Sequence, residues 1–600
     1  MRRVLGTGVL AALLTVAAPA GALPAPVSLS YQVVVVGAGP VGLAAAVTAA
    51  RDGLKTLLVA RRRQVGGLIT HGWLTTWDIS RTLTGQSLIQ GFYTKLYQAF
   101  GGHDSFDLAT AVSVMHRLAT TTSHLTLLSA QTVTSVGVRD GAVVSLTTTR
   151  SGVTRVIRAP VFIDATANAD LAAQAGAAST YGMTRVGFGH RTQAATLIFR
   201  VTGVRWSHVV AHANHAPTPP GEPVLSAWGY SRIAQGFVSP LGNIKLRGLN
   251  LALQSDGSVL VSGLWMFGMD PLDPRSVAAA VRSARVVIPD VVRYLRTHAP
   301  GFSGARLAGV APEPYVRESR QIASLKTLTV WDELTNRQFP DNVVLGSYPI
   351  DVQAIVPRQG GTVIGRPAAY GVPLGSLIPL GFTNLLVVGR SAGYTALAQG
   401  SARTLPVGIG EAQAAADAAQ VAIDRGITFP ELDASASALE ELHALLESQG
   451  AVLTPPPGIS HTLPFPGWDL PAARFALAHL LMEGGYQNQF IAADPVTPAW
   501  FWELLHNSAD RVYKVPPTPR HLPVADPAAA VSGADALRLY SLALTGAVES
   551  PATLLQRGLI DPSVLRRVES RAQISQSDAF LLGFNLAQAV RAKGWVRSGE

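Results

Sequence analysis

The chain contains no cysteine in 600 residues. That excludes disulfides, iron–sulfur clusters, thiolate-held zinc, thiolate nucleophiles and a redox-active cysteine pair; no metal site is expected. Charge is also sparse, with 14% of residues Asp, Glu, Lys or Arg and lysine scarce beside arginine. The balance of Lys+Arg 48 against Asp+Glu 38, a net +10, is mild for the length. No basic run is interleaved with aromatics, so nucleic-acid binding is not expected. A basic surface leaves acidic cell-wall polymers open as a partner, beside a composition bias with no partner at all. Hydrophobic residues make up 48%, enough buried apolar surface to offset chain entropy and exclude disorder over most of the length.

No stretch beyond the N-terminus reads as a membrane span. At the N-terminus, Arg2 and Arg3 precede an apolar run over 4–18, and Ala20-Gly21-Ala22 supplies small residues at the usual cleavage positions. This pattern predicts an export signal over 1–22, with a retained N-terminal anchor as the alternative. Arg2-Arg3-Val4-Leu5 partly resembles the twin-arginine motif. The mature chain is expected outside the cytoplasmic membrane, extracellular or associated with the cell envelope.

Tyr31-Gln32-Val33-Val34-Val35-Val36 is a β-branched run of the kind buried on both faces of a parallel sheet. It leads into Gly37-Ala38-Gly39-Pro40-Val41-Gly42, an Ala-rich helix over 43–51 and a second strand over 55–59. Strand, glycine turn, helix and strand in this order predict a dinucleotide site. Gly37 permits the turn, Gly39 lets backbone approach a pyrophosphate, and Gly42 lets helix and strand pack. The acid expected on a ribose is replaced by Ala60, and Arg61-Arg62-Arg63 raises the NADP alternative. Gly66-Gly67 then allows close passage to a cofactor. The run Val161-Phe162-Ile163-Asp164-Ala165-Thr166 reads as another strand and small-residue turn. A further strand ends at Gly389-Arg390, before a helix over 405–423.

These segments resemble the bacterial FAD-dependent oxidoreductase family with a glutathione-reductase-type FAD fold. The resemblance also rests on Tyr315-Val316-Arg317-Glu318-Ser319-Arg320, Ser347-Tyr348-Pro349-Ile350-Asp351, Val372-Pro373-Leu374-Gly375-Ser376-Leu377-Ile378-Pro379 and Gly400-Ser401-Ala402-Arg403. It implies FAD rather than NADP, held by Gly37, Gly39, Pro40, Gly42, Gly66, Gly67, Asp164, Ala165, Gly389, Arg390 and Arg403. A small-molecule substrate would exchange a hydride with the flavin. Candidate catalytic residues are His71 as a base, Tyr348 and Asp351 for proton transfer, and Arg317 and Arg320 as a clamp for a carboxylate. The last two flank Glu318, and an internal Arg–Glu pair is the alternative. Asp78 would lie near the ring or cap a helix. Gln353 stands where the family often has His, and Ala167 where it usually has Gly. These departures leave open a catalytically inactive, envelope-binding flavoprotein fold.

The expected fold class is α/β: a discontinuous, two-dinucleotide-binding-type FAD domain over 31–180 and 341–428, with an inserted α+β substrate domain over 181–340. Residues 125–128 and 142–149, around Arg139-Asp140-Gly141, predict a hairpin insertion. A linker is expected over 429–460, marked by Pro455-Pro456-Pro457-Gly458. Residues 461–600 read as a helical region resembling S-layer homology modules, with Thr497, Ser532 and Ser575 as helix caps. Both nucleotide-binding units close before the linker, which predicts a core that folds without this region.

Overall fold

The computed structural model describes residues 27–82, 85–215, 222–459, 465–512, 526 and 529–594; the expected export signal lies outside them. A five-stranded parallel sheet forms the centre, in the order Leu385–Val387, Val161–Asp164, Val33–Val36, Thr56–Val59, Leu125–Leu128. The valine run is the middle strand and is buried throughout, as a β-branched strand covered on both faces should be. Its side chains alternate. Val33 and Val35 enter the core beneath the helices Pro40–Arg51 and Leu405–Arg425, whereas Val34 and Val36 face a second sheet.

That second sheet runs Val27–Ser30, Val153–Arg158, Ala142–Arg150, Thr132–Arg139. Its hairpin turns at Asp140-Gly141, both with positive φ (49° and 75°), the turn whose twist matches the flanking strands. The segment 125–128, expected in this insertion, instead pairs in parallel with Thr56–Val59. Leu125 and Leu127 pack on the helix-side core, which fixes it to the main sheet.

The inserted unit is an antiparallel sheet in the order Ser226–Gly229, Ile244–Leu253, Val259–Met266, Phe199–Thr202, Arg306–Val310, with Ala195–Thr196 also on Val259–Met266. The helix Pro274–His298 covers it, burying Ala280, Ala284, Val287, Ile288, Val291 and Leu295, an apolar stripe at helical spacing.

The linker expected over 429–460 is corrected by two helices, Phe429–Ala434 and Ala436–Ser448. Leu439, Leu442 and Leu446 recur at spacings of three and four, and with Leu432 they join the core around Leu405–Arg425. Beyond them, Leu470–Ala478, Pro498–Val512, Gly533–Thr545 and Gln576–Ala592 form a helical group. The hydroxyls of Thr497, Ser532 and Ser575 accept the N–H groups of Trp500, Asp535 and Asp578, so all three are helix caps. This group does not stand apart. Phe465, Trp468, Phe490, Phe501 and Leu505 share one core with Val330, Leu334, Ile350, Val352, Ile364 and Leu397. Trp331 stacks on Phe465 at 5.4 Å, and the Arg474 guanidinium lies 4.4 Å from the Trp331 ring. Among the described residues, no helix is long and apolar enough to cross a membrane.

Candidate functional site

Three glycines of the 37–42 turn are constrained in different ways. Gly37 has φ +105°, and a Cβ there would lie 2.6 Å from the Ala165 backbone. A Cβ on Gly42 would lie 1.7 Å from the Gly37 carbonyl oxygen. Gly39 is otherwise: its φ of −71° suits any residue, and a Cβ would meet nothing within 4 Å. The space beside Gly39 is therefore kept clear for something the chain does not supply. Pro40 begins the helix, where its missing N–H is no loss, and no side chain caps that terminus. The helix Leu405–Arg425 also starts without a side-chain cap, and Thr404 Oγ1 is buried with no partner. The two ends meet, since a Cβ on Gly408 would sit 3.0 Å from Val41 and 3.4 Å from Gly389 Cα. Two uncapped helix N-termini at one point make a site for phosphate oxygens.

Gly66 and Gly67 close the turn from the other side, with φ +109° and +44°. The Gly66 N–H donates to the Ala38 carbonyl at 2.7 Å, and a Cβ on Gly67 would lie 3.0 Å from Gly39 Cα. The Gly389 N–H donates to Glu411 at 2.7 Å, whose second oxygen accepts from the Tyr394 hydroxyl. Glu411 is fully buried, and burial pushes its carboxyl up to about 7. Asp164, expected on the cofactor, is corrected. Its carboxylate accepts the Ala172 N–H at 2.8 Å and the Thr166 N–H and hydroxyl at 2.9 and 2.7 Å. Burial pushes it up to about 6; both its oxygens are taken up in tying the turn together. Ala60 is buried, whereas Arg61, Arg62 and Arg63 are exposed, with Arg62 paired to Glu313.

Tyr348, Asp351 and Arg403 come together, joined by Asp78. The Tyr348 hydroxyl donates to Asp78 at 3.0 Å, so Asp78 caps no helix. Arg403 donates to the Tyr315 hydroxyl at 2.8 Å and pairs with Asp351 at 3.6 Å. Gln353 Nε2 donates to Asp351 at 2.6 Å. Burial raises the Asp78 carboxyl against the pull of Arg403, and holds the Tyr348 hydroxyl well above its ordinary range. Arg390 donates to the Val316 carbonyl at 2.6 Å and Asn168 at 2.7 Å, while its Nε is buried without a partner.

Of the other sequence candidates, Arg317 lies beside this cluster, its guanidinium 4.3 Å from the centre of the Tyr315 ring, whereas His71 and Arg320 lie elsewhere. His71 faces Thr70 Oγ1 at 3.1 Å, and its charged neighbours are Glu313 and Arg62. Arg317 is buried and spent on the Ala194 carbonyl and Thr196 hydroxyl, at 2.7 and 2.9 Å. Arg320 pairs with Asp170 at 3.0 Å. The proposed clamp is therefore corrected, and so is the Arg–Glu pair. Glu318 accepts from Gln193 at 2.5 and 3.2 Å instead, and burial pushes it up to about 7.

Beside Asp351 and Gln353 opens a cavity of about 800 Å³. Lys245, Arg247 and Trp265 of the inserted sheet form one wall, and Tyr486 of the C-terminal region forms another. The turn 483–489 is fastened there. The Gly484 N–H donates to the Ile364 carbonyl at 2.8 Å, and the Asn488 amide bridges the Arg366 backbone at 2.7 and 2.8 Å. Lys245 and Arg247 escaped the sequence reading, although two cations at alternate positions of an apolar strand were a usable signal.

The family described as FAD dependent oxidoreductase matches residues 32–446. The chain belongs to that family. No curated protein matches it. Among solved structures, it is 14% identical to a geranylgeranyl bacteriochlorophyll reductase-like protein of Thermoplasma acidophilum, covering 70% of this chain and 84% of that one with a TM-score of 0.38. It is also 14% identical to p-nitrophenol 4-monooxygenase PnpA of Pseudomonas putida, over 70% and 88% of the two chains with a TM-score of 0.36. The anhydrotetracycline hydroxylase OxyS of Streptomyces rimosus is 13% identical, over 71% and 70%, with a TM-score of 0.34. The residues present fit FAD. The clear space at Gly39, the two uncapped helix ends and the orphaned Arg390 Nε and Thr404 Oγ1 offer room, positive potential and free polar atoms.

Proposed function

We propose that this FAD-dependent oxidoreductase transfers a hydride between a small polar substrate and the flavin. The FAD domain is read as the glutathione-reductase type, and the substrate site as the cavity against Asp351. The observation that carries this reading is the continuity of the two places. Asp351 lines the cavity and pairs with Arg403, the residue just before the uncapped helix start at Thr404. FAD, when bound, supplies a two-electron acceptor. The protein supplies the rest. Asp351, held by Gln353 and Arg403, is placed to take a substrate hydroxyl proton. Tyr348 stays protonated and donates to Asp78, which keeps a second carboxyl oriented beside the first. Arg403, beside Asp351 and the Tyr315 hydroxyl, would supply positive charge to a reduced flavin.

Anaerobic bleaching of the flavin by a panel of alcohols, amines and acids tests the reading. A flavin-loaded protein that no substrate bleaches would favour the inactive alternative. Export is part of the proposal and rests on Arg2, Arg3 and the apolar run behind them. Attachment to wall polymer through the C-terminal helices rests on the resemblance and its three caps. Sedimentation of the full chain with purified walls checks it.

A further inference from the structure

The walls of the cavity say what kind of molecule it takes; this step rests on the cavity being the substrate site. The strand Ile244–Leu253 turns Lys245 and Arg247 to one side, two residues apart, and both line the cavity. Neither belongs to an ion pair among the described residues. Lys245 Nζ donates to the Pro357 carbonyl at 3.3 Å. The Arg247 guanidinium lies 5.8 Å from the centre of the Trp265 ring, and its Nε is buried with no hydrogen-bond partner. The neighbouring cations are spent: Arg317 on Ala194 and Thr196, Arg403 on Tyr315 and Asp351, Arg390 on Val316 and Asn168. Asp351 and, more weakly, Asp78 act on the Arg247 charge through space, but neither forms an ion pair with it, and Asp351 already carries Arg403 and Gln353. A half-buried guanidinium with no carboxylate in direct contact is costly to keep, and its fork fits a carboxylate.

Glu483 also lines the cavity, so two cations face two acids there, and the rest of the lining is uncharged. Gln235, Gln353, Gln487 and Gln489 bring amides from three separate segments, each able to donate and accept. Trp265 and Tyr486 are the aromatic residues of the lining. Such walls suit hydroxyl groups on a compact skeleton and give an apolar substrate nothing to displace water for.

We propose that the cavity binds a polyhydroxylated carboxylic acid, with its carboxylate on Arg247 and Lys245 and its hydroxyls on the glutamine amides. The C-terminal turn 483–489 completes the site, with Gln487 and Tyr486 as specificity-determining residues.

Calorimetric titration of the FAD-loaded full chain tests this without turnover. The probes are D-gluconate and D-galacturonate, their neutral counterparts D-glucose and D-galactose, and acetate. The sugar acids are expected to bind in the millimolar range or tighter, the neutral sugars at least about tenfold more weakly, and acetate more weakly than the sugar acids. Arg247→Gln should weaken the sugar acids about tenfold or more while leaving flavin content unchanged. Lys245→Gln should weaken them less. Gln487→Ala should weaken the sugar acids and leave acetate unaffected. Arg247→Lys, which keeps the charge and loses the fork, should fall between wild type and Arg247→Gln, and serves if the glutamine variant fails to fold. Equal binding of neutral sugars, full binding by Arg247→Gln or Arg247→Lys, or no binding of either acid at millimolar concentration would overturn the inference. Flavin that never bleaches would sink hydride transfer and leave a positive titration standing. Turnover of a neutral substrate without acid binding would sink this inference alone.

Discussion

Removing residues 460–600 should destroy the fold of what remains. The body contributes nine large apolar residues to the core it shares with the C-terminal helices: Met183, Val186, Val330, Leu334, Ile350, Val352, Ile355, Ile364 and Leu397. Each is at most 4% exposed in the intact chain. Full burial of such a side chain is worth about 1.5–3 kcal/mol. If truncation uncovers half of their surface, the loss is about 1 kcal/mol each, or roughly 10 kcal/mol in total. That equals the whole net stability of a typical domain, about 5–15 kcal/mol. The cavity also loses the wall containing Tyr486. The assay is expression of residues 27–459, followed by size-exclusion chromatography and flavin absorbance. Aggregated or flavin-free material is expected. A soluble monomer with one FAD per chain would refute the reasoning and restore the C-terminal region as an independent module.

A Cβ on Gly39 would meet no atom within 4 Å, so Gly39→Val should fold yet lose FAD, read as apoprotein with native-like circular dichroism and no flavin absorbance. Asp351→Asn should keep FAD and lower turnover by about 10²–10⁴, measured as the rate of anaerobic bleaching. The Glu411 carboxyl sits at about 7 against an ordinary 4.5. The folded state therefore holds a proton that the unfolded state has released, and this stability is complete below pH 4.5 and lost as pH rises through about 7. The upper limit is about 3 kcal/mol. Glu411→Gln should remove that share of the pH dependence, so its melting temperature should fall less than that of wild type between pH 5 and 8.

The nucleotide site was legible because its parts are contiguous. The valine strand, the 37–42 turn and the first helix lie within some twenty residues, and each declares itself by local chemistry: β-branching, glycine, alanine. What the sequence concealed depends on residues far apart. Arg317 and Arg320 look like a free pair until the fold presents Ala194, Thr196 and Asp170 to them. The fate of Glu318 is set by Gln193, and that of Asp78 by Tyr348. The proline run over 455–458 suggested an ending, but the leucines of 436–448 were already a helical stripe. Proline marks a local break in hydrogen bonding, and it says nothing about whether the chain returns to the same core.

Gln353 shows how a departure from the family pattern can be absorbed. Its Nε2 donates to Asp351 at 2.6 Å, its Oε1 accepts from Trp265 at 3.3 Å, and its backbone N–H donates to Gln193 at 2.8 Å. Gln193 in turn holds both oxygens of Glu318. A line of contacts thus runs from the strand end near Glu318 to the cavity and, through Asp351, to Arg403. An imidazole at position 353 could itself exchange a proton; an amide cannot. It can fix the carboxylate beside it in one orientation and present its own second face to a substrate. The carboxyls at this point are those of Asp351 and Asp78. On the proposed reading the proton acceptor is Asp351, two residues earlier in the chain, and a glutamine at 353 is compatible with catalysis.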